Sequence, residues 1–290
     1  MNASGTFGYG DEWPRLCNTA VLGAIVTKTL TLEPRAGNPP PRLQETPSGL
    51  LNSIGLQNVG VTAFLAEHLS ALRALRPPVI ASVGGASAEE FAAVVERLEA
   101  GALEAYELNV SCPNVAQGGL SFGRSPGETA RVVRGVRRVT QRPLFVKLTP
   151  NVTDIVAIGR AALDEGATGL TAVNTFLGME IDLERSRPRF GRVGAGLSGP
   201  AIRPLALYRI WELARSLDCP LIGAGGIVTA RDAAAFMMAG ATAVQVGTAT
   251  LRDPARPAAL VTELATFAEA RGLARIRDLV ASLEGLRDVP

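Results

Sequence analysis

Residues 220–248 read PLIGAGGIVTARDAAAFMMAGATAVQVGT. A short apolar run (Pro220–Ala224) leads through a glycine-rich turn into a helical segment (Thr229–Met238) with Asp232 in its first turn. A second apolar run, Ala243–Gly247, again ends on glycine. A run that is apolar on both faces suits a strand buried between helices, and parallel sheets hold their strands in that way. The unit is strand, turn, helix, strand.

Working outward, the same alternation fills the chain. Five more runs read as buried strands: Gly23–Thr27, Pro78–Val83, Ala105–Val110, Leu144–Leu148 and Gly169–Asn174. Helical stretches fall between and after the runs at Val61–Leu75, Ser87–Leu103, Gly127–Val139, Thr153–Glu165, Pro204–Leu217 and Ala255–Arg271. Ser87 precedes Glu89 and Glu90, a hydroxyl and two acids placed to cap a helix and to meet its dipole. Seven βα units are visible. A closed parallel barrel has eight strands, and the chain starts at Met1, directly before Ala3-Ser4-Gly5. The expectation is a (β/α)8 TIM barrel whose first strand is truncated at the N-terminus. An open Rossmann-type sheet would place G-x-G-x-x-G after an early strand, and no early strand is followed by one.

Residues 1–290 read as one domain, long enough to bury about three quarters of its extended surface. Three connections on the carboxyl side of the strands are long, at 29–51, 113–126 and 175–200, as binding loops tend to be. A hairpin is expected inside the last of these, with Met179–Leu183 facing Arg189–Val193. A net charge of +2 with interspersed arginines and acids gives no nucleic-acid footprint. No run approaches the ~20 apolar residues of a membrane span, and no charged-then-apolar leader opens the chain. A soluble cytoplasmic protein is expected. Cysteines at 17, 112 and 219 have no metal-binding or disulfide spacing, which suits a reducing compartment.

Only two of the 29 basic residues are lysines, Lys28 and Lys147, and both end apolar runs. An ammonium is a compact point charge that a guanidinium fork does not replace, so both lysines are expected to point into one site. Polar clusters sit at the other strand ends: Ala3–Ser4–Gly5, Asn52–Ser53, Asn109 through Asn114, and Asn174–Thr175. Amides dominate these clusters and carboxylates are scarce. Such a site hydrogen-bonds a polar planar ligand, and it lacks the facing carboxylates of glycoside hydrolysis. The single histidine, His68, lies in a helical stretch and reads as packing or surface. Cys112, just past a strand end, is the leading proton-transfer candidate. The glycine ends Gly223-Ala-Gly225-Gly226 and Val246-Gly247-Thr248 suit a phosphate, since bare N–H groups beside a helix N-terminus bind anions.

The stretches Asn109-Val-Ser-Cys-Pro-Asn-Val115 and Asn52-Ser-Ile-Gly-Leu-Gln-Asn58 closely resemble the dihydroorotate dehydrogenases. So do Ala3-Ser-Gly-Thr-Phe-Gly-Tyr9, Val146-Lys-Leu-Thr-Pro-Asn151, Asn174-Thr175 and Gly196-Leu-Ser-Gly-Pro200, so the resemblance spans nearly the whole chain. It implies an FMN-binding (β/α)8 barrel that oxidises dihydroorotate to orotate in pyrimidine synthesis. Cysteine in the Ser-Cys-Pro-Asn position is similar to the soluble class 1 enzymes. Gly118-Gly119 with Phe122-Gly123 resembles the class that reduces NAD through a partner subunit carrying FAD and a 2Fe–2S cluster. A homodimer, or a heterotetramer with that iron–sulfur flavoprotein subunit, is implied, with no metal site on this chain.

Residue by residue, the resemblance implies that Cys112 takes the proton from C5 of dihydroorotate while hydride leaves C6 for the flavin. Asn52, Asn109, Asn114, Asn174 and Thr175 match substrate-binding positions, with Ile54, Gly55 and Leu56 lining the same pocket. Lys28 matches a lysine near both substrate and flavin, and Lys147 one at the N1/O2 edge of the flavin ring. Ala3, Ser4, Gly5, Asn109, Val173, Gly199, Gly225, Gly226, Gly247 and Thr248 match flavin or phosphate contacts. Three alternatives remain. One is a related flavin-dependent dihydropyrimidine dehydrogenase. Another is a non-redox phosphate-binding barrel enzyme with Lys147 as a Schiff-base lysine. The third is an inactive FMN-binding subunit.

Overall fold

The computed structural model describes residues 1–10, 13–111 and 122–284. Its strands are β1 (Ile25–Val26), β2 (Leu43–Thr46), β3 (Gly49–Asn52), β4 (Val79–Val83), β5 (Ala105–Asn109), β6 (Leu144–Lys147), β7 (Gly169–Ala172), β8 (Phe176–Gly178), β9 (Ile181–Asp182), β10 (Arg187–Pro188), β11 (Ala195–Ser198), β12 (Leu221–Ala224) and β13 (Ala243–Gln245). Its helices are α1 (Gly60–Ala63), α2 (Leu69–Arg73), α3 (Ala88–Glu99), α4 (Pro126–Arg137), α5 (Ile155–Asp164), α6 (Arg203–Ser216), α7 (Ala230–Met238), α8 (Thr248–Arg252) and α9 (Arg256–Ala270).

Seven strands form one parallel sheet in the order β1-β4-β5-β6-β7-β12-β13, and each lies within an apolar run of the sequence. Every residue of β4, β7 and β12 is buried, as a sheet covered by helices requires. The helices start where side chains replace the missing intrahelical partners. Ser87, Ser125, Asp154 and Thr229 accept from the N–H groups of Glu90, Glu128, Ala157 and Asp232 at the starts of α3, α4, α5 and α7. Leu98, Val132, Val136, Ile158 and Leu213 carry the helical layer into a core shared with Val83, Leu108, Val146 and Leu170.

A barrel with a truncated first strand is expected, and the seam between the end strands shows what stands in that place. The ladder has seven strands, and between its end strands β13 and β1 lies Asn2 instead of an eighth. On one side its backbone bridges to Val246, with Ala3 N–H donating to Val246 O at 2.8 Å and Val246 N–H to Met1 O at 3.0 Å. On the other side its side chain takes over. Asn2 Oδ1 accepts from Val26 N–H at 2.9 Å, and Nδ2 donates to Val26 O at 2.7 Å. A carboxamide carries the donor and acceptor of a peptide group, so it satisfies Val26 as a strand neighbour would.

Two of the three long connections are more ordered than their composition suggests, and most of 113–126 lies outside the described residues. Residues from 29–51 and 175–200 build an antiparallel sheet in the order β2-β3-β11-β8, with Asn52 opposite both Leu43 and Gly196. A hairpin is present with its second arm earlier than expected, β9 pairing antiparallel to β10 at Arg187–Pro188 and not within Arg189–Val193. The helix expected at Val61–Leu75 is interrupted by a π-helical turn at Phe64–His68 between α1 and α2. His68 packs there against Tyr9, with ring centroids 4.5 Å apart, in keeping with a packing role.

Candidate active site

The carboxyl ends of the parallel strands and the antiparallel sheet enclose a cavity of about 420 Å³, within the usual range for a small-molecule site. Among the described residues it is lined by four cations, Lys28, Arg124, Lys147 and Arg192, and by no carboxylate. Its electrostatics favour an anionic ligand.

At one end lie the amides. Asn109 ends β5, and Asn174 lies just past β7. Asn174 Nδ2 donates to Asn109 Oδ1 at 3.2 Å and also to Ser111 Oγ. Ser111 Oγ donates to Asn109 Oδ1 at 2.8 Å, and Asn109 Nδ2 donates to Thr29 Oγ1 at 3.2 Å. Thr29 Oγ1 is also within 3.1 Å of Ser4 Oγ and 3.0 Å of Ser82 Oγ. Thr175 N–H donates to Asn174 Oδ1 at 2.8 Å, and Asn52 Nδ2 donates to Gly196 O at 3.1 Å. Each amide is thus held by protein partners while one face is turned to the cavity. The 54–56 turn is shaped by Asn38, whose N–H donates to Ile54 O at 3.0 Å and whose side chain a Cβ on Gly55 would strike at 2.6 Å.

Lys28 follows β1, its backbone N–H donating to Gly8 O at 2.9 Å, and its ammonium makes no hydrogen bond or ion pair to the described residues. Burial, and then the nearby charge of Arg42, hold its ammonium below the usual lysine range. An anion entering the cavity relieves both penalties.

At the other end three glycine turns converge. Gly226 has φ +74°, and a Cβ there would meet Arg203 Cβ at 2.7 Å and Gly199 O at 2.8 Å. Gly199 has φ +89°, and its Cβ would meet Gly49 Cα at 3.0 Å and Thr248 Cγ2 at 3.4 Å. These are left-handed positions where the backbone packs against backbone. Thr248 Oγ1 donates to Ser198 Oγ at 2.8 Å and ties the third turn to β11. The cradle differs from the expected one in one respect. Val228 and Thr229 give their N–H groups to Asp232 Oδ2 at 3.1 and 2.8 Å, and Arg203 also pairs with Asp232. The N–H groups of Val228 and Thr229 leading into α7 are therefore satisfied internally, and Gly225, Gly226, Gly247 and Thr248 line the cavity.

Lys147 ends β6 and is 5 % exposed, its side chain reaching the cavity wall. Nζ donates to Gln245 Oε1 at 3.1 Å and lies 3.7 Å from Glu107 Oε1. Gln245 and Glu107 were not singled out from sequence. Glu107 is the one acid inside the run Ala105–Val110, and that isolation was the available signal. Ser111 and Ser198, which lie inside the quoted motifs without an assigned role, and Arg124 also line the cavity.

All the described site candidates line this one cavity: Ala3, Ser4, Gly5, Lys28, Asn52, Ile54, Gly55, Leu56, Asn109, Lys147, Val173, Asn174, Thr175, Gly199, Gly225, Gly226, Gly247 and Thr248. Cys112 and Asn114 lie outside the described residues. The other two cysteines are half-buried, and burial pushes the Cys219 thiol up to about 11 and raises that of Cys17. Among the described residues no cluster of three or more His, Cys, Asp or Glu side chains could hold a metal, and no helix is long and apolar enough to cross a membrane.

Comparison with known proteins is in keeping with this geometry. The dihydroorotate dehydrogenase family profile matches residues 1–267. The chain is 50% identical over 286 residues to the catalytic subunit of dihydroorotate dehydrogenase B (NAD(+)) of Trichlorobacter lovleyi, covering 98% of this chain and 94% of that one. It is 48% identical to the same subunit of Geotalea uraniireducens, covering 98% and 93% of the two chains. Against that of Desulforudis audaxviator it is 48% identical, covering 97% and 92%.

Proposed function

Because the chain belongs to the dihydroorotate dehydrogenase family, we propose that it oxidises (S)-dihydroorotate to orotate with FMN, as the catalytic subunit of a cytoplasmic complex that passes the electrons on to NAD. The observation that carries this reading is a cavity with tethered amides at one end, a glycine cradle at the other and Lys147 in its wall, lined by four cations and no described acid. We take the sheet as a (β/α)8-like barrel in which Asn2 stands in the place of the eighth strand.

The cavity fits a flavin mononucleotide. A Cβ at Gly225 would come within 2.6 Å of Ala206 Cβ, and one at Gly226 within 2.8 Å of Gly199 O, so the turns leave bare backbone where a phosphate needs N–H donors. Gly199, Gly247 and Thr248 complete that end, and Ala3, Ser4, Gly5 and Val173 flank the ring. Lys147 offers a fixed cation where negative charge develops on the ring. FMN, when bound, supplies the acceptor for the two electrons and the hydrogen that leave C6 of dihydroorotate.

The chain's own residues do the rest. Asn52, Asn109, Asn114, Asn174 and Thr175 offer paired donors and acceptors to the ring amides and carboxylate of the substrate. Ile54, Gly55 and Leu56 close over it. Lys28 gives its charge to the carboxylate, which favours dihydroorotate over an uncharged dihydropyrimidine. Cys112 takes the C5 proton as thiolate. A thiol of ordinary pKa, about 8.5, does so with increasing efficiency above neutral pH.

The relatives' designation as catalytic subunits supports a separate partner subunit, and in the proposed complex that partner carries FAD and a 2Fe–2S cluster for electron transfer. The antiparallel strands and the connections between them expose Leu177, Met179, Ile181, Leu183 and Val193, apolar side chains suited to such a partner. The test is anaerobic reduction of FMN-loaded protein by dihydroorotate and by dihydrouracil, followed by reoxidation with NAD or fumarate. Reduction by dihydroorotate alone, and NAD turnover only when the partner is present, are expected. Efficient reduction by dihydrouracil, or fumarate turnover without a partner, would reject the assignment.

A further inference from the structure

Glu107 sits in the middle of β5 with no solvent exposure. An ionised carboxylate there costs several kcal/mol in lost hydration unless partners compensate. Its partners come from across the barrel interior. Thr171 Oγ1 and Gln245 Nε2 both donate to Oε2, at 2.9 and 2.6 Å. Oε1 accepts no hydrogen bond and lies 3.7 Å from Lys147 Nζ. Gln245 joins the two charges, with its Nε2 on the carboxylate and its Oε1 accepting from Lys147 Nζ at 3.1 Å. Rotating that amide by half a turn would set N–H against ammonium and C=O against carboxylate, so its orientation is fixed from both sides. Lys147 and Gln245 line the cavity and Glu107 does not, which places the carboxylate behind the cation as seen by a ligand.

We propose that Glu107 is a positioning residue that anchors Lys147 through Gln245 and, by opposing its charge, sets the reduction potential of the bound FMN. The proposal rests on the reading that FMN occupies the cavity against Lys147. A flavin that takes up two electrons and one proton gains one net negative charge. Lys147 favours that charge, and Glu107, one carboxylate further back, partly cancels the effect. In a buried site such interactions are many times stronger than in water. The pair thus keeps the cation fixed while preventing it from trapping the reduced form, which must hand its electrons on.

The sign of the effect separates this role from a merely structural one. Loosening Lys147 would make the reduced form less stable, whereas removing the opposing charge makes it more stable. Glu107→Gln preserves shape and removes the charge. Equilibration of FMN-loaded protein with a redox dye is expected to show a rise of about tenfold in the reduced-to-oxidised ratio at fixed potential, an upward shift of about 30 mV for a two-electron couple. Glu107→Met also removes the charge and is expected to shift the ratio the same way, which keeps the test decisive should Glu107→Gln fail to fold. FMN-loaded Glu107→Gln or Glu107→Met with an unchanged or lowered potential would overturn the proposal alone. Wild-type protein that takes up no FMN would overturn the cofactor reading itself, and this proposal with it.

Discussion

Asn174 Nδ2 donates to Asn109 Oδ1 at 3.2 Å, joining the ends of β7 and β5 across the intervening β6. Both amides are oriented before any ligand arrives, and such preorganisation removes an ordering cost from binding. Asn174→Ala is expected to raise the KM for dihydroorotate about ten- to a hundredfold, the effect of about 1–3 kcal/mol from a lost buried hydrogen-bond partner. FMN content should be retained. Steady-state kinetics with a flavin count checks this, and an unchanged KM would contradict it.

The seam makes a prediction about stability. Asn2→Ala leaves Val26 N–H and C=O without the partners they now have at 2.9 and 2.7 Å. A loss of about 2–4 kcal/mol in urea unfolding is expected from two orphaned buried groups. A loss below about 0.5 kcal/mol would mean that the amide does not close the sheet.

The cradle predicts an order between two substitutions. Gly226→Ala forces a left-handed residue against Arg203 Cβ and Gly199 O at 2.7 and 2.8 Å, whereas a Cβ on Gly247 first meets Ala3 Cβ at 3.4 Å. Gly226→Ala is expected to lower both thermal stability and FMN content, while Gly247→Ala folds normally. Thermal melts and flavin absorbance on both proteins check the order, and the reverse order would contradict it.

These sites differ in how far the sequence announces them. The seven buried strands were legible because each is a short, nearly continuous apolar run, and Asn109, Lys147 and Asn174 were legible because they break such runs at the carboxyl end. Glu107 breaks one in the middle, where a composition-based reading sees an apolar strand. Its partners Thr171 and Gln245 lie 64 and 138 residues away along the chain, so only the folded interior reveals the cluster. Asn2 was hidden for a related reason, since a side chain replacing a strand leaves no periodic pattern. The antiparallel sheet lay in segments whose glycines and prolines read as loop, although its pairing depends on residues as distant as Asn52 and Gly196.

Lys28 predicts a pH dependence. Burial, and then Arg42, lower its pKa from the ordinary lysine value. Its charge is therefore complete below the lowered pKa and disappears as pH rises through it, earlier than for a free lysine. The kcat/KM for dihydroorotate should rise as Cys112 ionises and then fall on an alkaline limb below the usual lysine pKa of about 10.4. Lys28→Met should show lower activity throughout and no alkaline limb. A limb that persists in this variant would assign it to another group.

In the proposed reaction a flavin and a proton acceptor act together on one bound pyrimidine. Anaerobic titration of FMN-loaded protein with dihydroorotate tests it most directly. The visible flavin band is expected to bleach in proportion to the substrate added, and the Cys112→Ala protein, equally loaded with FMN, to bleach orders of magnitude more slowly at neutral pH. A wild-type protein that stays yellow, or a Cys112→Ala protein that bleaches as fast as wild type, would contradict it.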